Sequence, residues 1–126
     1  MTAKATFRPY ERLKSPADFQ RAFERRCSEA DRVLVVYCVE NARAYARLGI
    51  SVSRKKVPAA TVRNHLKRLV REAFRLSKSD LPVGVDMVVL PRAARVHLAA
   101  VRRSLTVLAR AAVVRLKSSA RNKAHS

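Results

Sequence analysis

The sequence has little of what a self-sufficient enzyme uses. It holds two glycines, Gly49 and Gly84, in 126 residues, so there is no glycine-rich loop to cradle a phosphate. Only nine Asp and Glu stand against 28 Lys and Arg. They are scattered, with no DxD, ExK or DxE pair of the kind that holds two Mg²⁺ ions. His65, His97 and His125 lie about thirty residues apart and have no metal-ligand spacing with cysteine or with one another. No Ser or Cys sits in a recognisable nucleophile motif. A nuclease acting alone is therefore the least supported class.

Other absences narrow the setting. Cys27 and Cys38 are the only cysteines and form no CxxC; both are expected to be reduced, half-buried residues of a cytoplasmic protein. No apolar run approaches the roughly 20 residues that span a bilayer. The start, MTAKATFRPYERLKS, lacks the apolar segment of a secretory signal, and Glu11 argues against a transit peptide.

What is present is positive charge and apolar residues together. The formal net charge is +19 and 48% of residues are hydrophobic. That hydrophobic content argues against a disordered chain. The charge calls for a partner that supplies negative charge, either nucleic acid or an anionic membrane surface. The length suits one domain spanning residues 1–126, with a folded core over about 12–117 and flexible basic ends at 1–11 and 118–126.

Ser15-Pro16-Ala17-Asp18 is a helix start, with a hydroxyl cap, a proline in the first turn and an acid behind it. A helix of about 12 residues is expected to follow, through Phe19, Phe23 and Cys27. Residues 32–40 (RVLVVYCVE) and 45–53 (YARLGISVS) read as strands, with a link short enough for a hairpin. Pro58 marks the start of a helix to about Ser77, and Leu81-Pro82-Val83-Gly84 is a break. A third short strand is predicted over 85–90 and a long helix over 97–117. The predicted order is α-β-β-α-β-α.

The helix after Pro58 carries the main signal. At 100° per residue, Val62, Leu66, Leu69, Val70, Ala73, Phe74 and Leu76 share one apolar arc. Arg63, Lys67, Arg68, Arg71 and Arg75, with Asn64 among them, share the adjoining arc. A solvated helix face is also often basic, but acids should then be mixed in as i,i+4 partners. Between Arg54 and Arg75, basic residues at 54, 55, 56, 63, 67, 68, 71 and 75 face one acid, Glu72. Cations held at fixed spacing suit a regular phosphate array. Phe19 and Phe23 share a helix face, and Tyr37 lies on the first strand. These aromatics are either core residues or the floor of a groove for unpaired bases.

The segment RLGISVSRKKVPAATVRNHLKRLVREAFR resembles the family of bacterial ribonuclease P protein components. The resemblance runs from about Arg12 to Lys117. It rests on a strand ending in Ser53-Arg54-Lys55-Lys56, and on the helix Arg63-Asn64-His65-Leu66-Lys67-Arg68-Leu69-Val70-Arg71-Glu72. Asp18-Phe19-Gln20-Arg21-Ala22-Phe23 also matches the family's first helix.

The resemblance implies an α/β (α+β) fold: a two-layer α-β-β-α-β-α sandwich of the ribosomal protein S5 domain 2-like type. Its βαβ crossover would be left-handed, against the usual preference. The implied role is the protein subunit of a ribonucleoprotein that removes 5′ leaders from precursor tRNA. Mg²⁺ chemistry would belong to the RNA subunit, with no metal bound tightly by the protein. Arg63, Asn64, Lys67, Arg68 and Arg71 would face the catalytic RNA with Arg54, Lys55 and Lys56 beside them. Phe19, Phe23 and Tyr37 would line a cleft for the single-stranded leader. Neither a membrane nor DNA is an implied partner.

His65 departs from the pattern, standing where the family's helix usually has its second arginine. On the wheel it lies about 125° from the centre of the basic arc, so a modest effect is expected. The competing readings are a structural RNA-binding protein of the ribosome and a DNA-binding helix-turn-helix regulator. Strands on both sides of the basic helix argue against the second.

Overall fold

The computed structural model describes residues 6–125. Helix α1 (Pro16–Arg25) starts as its sequence dictates: the Ser15 hydroxyl accepts from the Ala17 N–H at 3.2 Å, with Pro16 in the first turn. It ends two residues before Cys27, because Arg26 turns left-handed at φ 58°. A short strand that the sequence reading missed follows, β1 (Ser28–Ala30). At three residues it is too brief to show an alternating pattern.

The Asp31 carboxylate then accepts from the Val33 and Leu34 N–H groups at 2.8 and 2.9 Å. This Asx turn explains why β2 (Leu34–Glu40) begins two residues later than predicted. Strand β3 (Arg47–Ile50), helix α2 (Ala60–Ser77), strand β4 (Val85–Pro91) and helix α3 (Leu98–His125) complete the chain. Three-residue 3₁₀ turns precede α1 (Pro9–Glu11) and follow α2 (Lys78–Asp80).

The strand order is β1-β2-β4-β3, so the expected hairpin between the second and third strands is not formed. Instead β1 and β2 make the hairpin, with Ser28 opposite Tyr37. Strand β4 runs between β2 and β3, antiparallel to the first and parallel to the second. The physical reason lies in β4 itself: Val85 through Val89 are all buried, and a strand buried on both faces belongs at the centre. Helix α2 thus joins two adjacent parallel strands.

The sheet is a mixed α+β sandwich core. Leu34, Val36 and Cys38 of β2, with Val85, Met87 and Val89 of β4, face α2 and α3. Phe74 of α2 and Leu105 and Ala109 of α3 are fully buried there. Truncating a side chain like Phe74 typically costs about 3–5 kcal/mol. On the opposite face, Val39 and Val88 pack with Leu13 and Ala22 beneath α1.

Both ends depart from expectation. Phe7 packs edge-on to Phe74, with ring centroids 5.2 Å apart. Lys78 Nζ donates to the Thr6 carbonyl at 2.7 Å and binds the buried Glu11 carboxylate. Part of the end expected at 1–11 therefore packs on the core through Thr6, Phe7 and Glu11, and 1–5 lie outside the described residues. At the other end α3 runs through Ser118 to His125 where a frayed tail was expected. That tail has no glycine or proline to stop a helix.

Candidate nucleic-acid interface

Helix α2 sets its apolar arc into the core: Leu66, Val70, Ala73 and Phe74 are buried, as the wheel predicts. The cations beside it are consequently fixed in direction. Asn64 and Arg68 are exposed, while Arg63, Lys67 and Arg71 are half-buried. Among the described residues, Arg54, Lys55, Lys56, Arg63, Lys67, Arg68 and Arg71 form no ion pair. By contrast Arg75 is paired with Glu72, which removes it from the unneutralised set.

Crowding of like charge is visible at Arg71. Burial lowers its pKa first, and the neighbouring Arg12 and Arg68 guanidiniums lower it further. Arg12, which was not singled out from sequence, joins this group from the N-terminal segment; its only signal was position within the matching region. Arg63 has a second task. Its Nη1 donates to the Val57 and Pro58 carbonyls at 3.0 and 2.7 Å, bracing the approach to a helix whose Ala59 cap has no side-chain bond. Arg54, Lys55 and Lys56 occupy an exposed turn, where the Lys56 N–H donates to Ser53 Oγ at 3.2 Å.

The aromatics are both core and groove. Phe19, Phe23 and Tyr37 pack on the cluster of Leu13, Ala22, Val39 and Val88 and are half-buried. Phe23 meets Tyr37 edge-on, with centroids 5.0 Å apart and planes at 85°. Phe19 lies against Gly49, where a Cβ would come within 2.7 Å of its ring. A depression of about 120 Å³ runs from Phe19, Gly49 and Ile50 to Lys67 and Arg71. A more open one, about 540 Å³, passes along α1 by Phe19, Phe23 and Arg26. Tyr37 lines neither of these depressions; it supports Phe23.

Residues 7–122 match the family described as Ribonuclease P. The chain belongs to the ribonuclease P protein family. It is 43% identical over 108 residues to the ribonuclease P protein component of Brevibacillus brevis, covering 82% of this chain and 85% of that one. The Thermotoga petrophila protein component is 46% identical over 87 residues, covering 69% and 74%. Among solved structures, the RNase P protein from Thermotoga maritima superposes with a TM-score of 0.70 at 42% identity, covering 79% of this chain and 96% of that chain. The Staphylococcus aureus RNase P protein gives 0.66 at 39%, covering 75% and 88%. The chain is thus a protein subunit of ribonuclease P, acting in tRNA 5′ processing with the ribonuclease P RNA as partner. A structural ribosomal protein is not favoured.

One part of this ribonuclease P protein had no counterpart in the sequence reading. Asp86 of β4 is buried, and its carboxylate accepts from Arg47 Nε and Nη2 at 2.8 and 2.7 Å. Arg21 Nη2 of α1 donates at 2.6 Å and Asn41 Nδ2 at 3.0 Å. Burial pushes its pKa up, but the bonds from Arg47 and Asn41 and the charges of Arg47 and Arg21 outweigh that and hold it below the usual value. The network ties α1, and with it Phe19 and Phe23, to the sheet. Its signal was a single acid within the apolar run VDMVVL, which a strand can bury only if cations meet it.

Cys27 and Cys38 are free and buried, more deeply than expected. Burial, then the neighbouring Cys27, pushes the Cys38 thiol up to about 12. His65 is exposed and stands beyond Arg68 beside Glu72, where the wheel puts it. Among the described residues, no group of three or more His, Cys, Asp or Glu is placed to hold a metal ion, and no helix is long and apolar enough to cross a membrane.

Proposed function

We propose that this subunit binds the catalytic RNA through α2 and holds the single-stranded 5′ leader of precursor tRNA in the cleft beneath α1. The RNA-facing set is Arg54, Lys55, Lys56, Arg63, Asn64, Lys67, Arg68 and Arg71. The leader lies along Phe19 and Phe23, with Tyr37 behind them. The observation that carries this reading is the depression joining Phe19 to Lys67 and Arg71. It sets Phe19 beside cations that, among the described residues, have no carboxylate partner, so the aromatic cleft for the leader opens onto the RNA-facing side of α2.

The RNA subunit supplies the Mg²⁺-dependent cleavage in this proposal, and the protein holds no tightly bound metal. The donor set supports that division: Asp86 is the most buried acid, and both of its oxygens are engaged by arginines. The protein's own work is to neutralise phosphate repulsion and to position the leader. The working compartment is the cytoplasm, where Cys27 and Cys38 stay reduced. Neither DNA nor a membrane is a partner.

Mixing the chain with ribonuclease P RNA at low Mg²⁺ should restore 5′ cleavage of precursor tRNA, while protein alone should cut nothing. No rescue would defeat the cofactor role. Cleavage without RNA would defeat the assignment of chemistry to RNA.

A further inference from the structure

A larger depression, about 580 Å³, adjoins the one at Phe19, sharing Phe7, Arg12 and Arg71 with it, and lies between the N-terminal segment and the outer side of α2. Phe7 and Leu69 give it carbon surface. One wall is the stripe His65, Arg68, Glu72 and Arg75, which follow one another along α2 over about 15 Å. Arg71, beside this stripe on α2, and Arg12 also line the depression, and the Arg12 guanidinium lies over the Phe7 ring, 4.9 Å from its centroid.

The charges here are unequal. Glu72 is neutralised by Arg75. Among the described residues, Arg12, Arg68 and Arg71 have no carboxylate partner, and burial together with this crowding lowers the Arg71 pKa. A bare anion would use the cations and waste the carbon surface. An apolar or cationic segment would meet uncompensated arginines. A flat ring bearing a phosphate uses both.

We propose that this depression is a nucleotide pocket, holding one unpaired nucleotide of the RNA subunit. Its base lies on Phe7 and Leu69, and its phosphate on Arg12, Arg68 and Arg71. His65 and Glu72 border the base and offer it a ring nitrogen and a carboxylate as edge partners. The Phe7–Arg12 stack gives the base a flat surface that tolerates any sequence. The proposal rests on α2 being the RNA-binding face, and it turns the family departure at His65 into a pocket feature.

The test is a nuclear magnetic resonance titration of the isotope-labelled full chain with 5′-AMP, adenosine, inorganic phosphate and a hexaglutamate peptide. AMP should move the Phe7, His65 and Leu69 signals, and phosphate at equal concentration should leave Phe7 and Leu69 in place. Adenosine should bind more weakly than AMP at the same signals. Phe7→Leu, checked for an unchanged fold by its spectrum, should weaken AMP by about fivefold or more, the scale of one stacking contact. Phosphate or hexaglutamate reproducing the AMP shifts, or AMP shifts confined to the Phe19 cleft, would overturn the pocket.

In the reconstituted complex, His65→Ala, at a residue that lines this depression and not the one at Phe19, should lower affinity for the RNA subunit and leave the preference for leader-bearing substrate unchanged. The reverse pattern would overturn the assignment to the RNA subunit. No RNA subunit enters the titration, so failure of the pocket is distinguishable from failure of α2 as the RNA face, which the unmodified chain's RNA binding reports.

Discussion

Phe19 of α1 rests on the bare backbone of Gly49 in β3: a Cβ there would sit 2.7 Å from Cζ and 2.9 Å from Cε1 of the ring. The absence of a side chain at residue 49 is what lets the ring approach the sheet this closely. Gly49→Ala should lift Phe19 and destabilise the fold by about 1–3 kcal/mol, the usual cost of overpacking. Urea unfolding would measure the first effect. Leader-dependent substrate affinity should fall with it, and an unchanged affinity would mean that the ring's position is immaterial to the leader.

Asp86 makes a prediction about both mutation and pH. Asp86→Asn removes the charge that Arg21 and Arg47 share and should cost about 3–5 kcal/mol, the range for breaking a buried pair. Its folded pKa lies below the unfolded value. The stability it contributes is therefore complete above the unfolded carboxylate pKa and is lost as pH falls through the folded one. Unfolding free energy of the wild type should decline on acidification in that window, and the Asn variant should show a shallower decline. Identical slopes would remove Asp86 from the acid response.

On α2, Lys67→Ala and Arg71→Ala should each weaken RNA-subunit binding and flatten its salt dependence. Each lost phosphate contact reduces the slope of log affinity against log salt by about 0.7–0.9. A weaker affinity with an unchanged slope would mean that the residue acts through structure and not through phosphate contact.

His65→Arg should raise affinity for the RNA subunit by less than about tenfold, because the position lies off the centre of the basic arc. Filter binding or anisotropy at fixed salt measures this. A larger gain would move the centre of the RNA-facing surface toward the His65–Arg68–Glu72 stripe.

What was legible in the sequence was whatever repeats locally. The apolar arc of α2 and the cap at Ser15 are visible because helical periodicity and capping act over a few residues. Strand partners were not: a short link between β2 and β3 suggested a hairpin, whereas the burial of β4 on both faces put it between them. The same limit hid Arg12 and Asp86. Arg12 enters the basic cluster, and Asp86 meets Arg21 and Arg47, through contacts between residues distant in sequence. Phe19 and Phe23 were legible as a pair on one helix face, but the setting of Phe19 over Gly49 and of Phe23 against Tyr37 depends on the sheet register.

The most direct test of the account compares leader-bearing precursor tRNA with leaderless tRNA, bound by the reconstituted complex containing Phe19→Ala or Arg71→Ala protein. Phe19→Ala, with its stability checked, should erase most of the advantage of the leader-bearing substrate while retaining RNA-subunit affinity. Arg71→Ala should weaken RNA-subunit affinity; once saturated with RNA, it should retain most of the leader advantage. Equal losses on both substrates for Phe19→Ala would contradict the account, leaving the cleft aromatics as core residues alone.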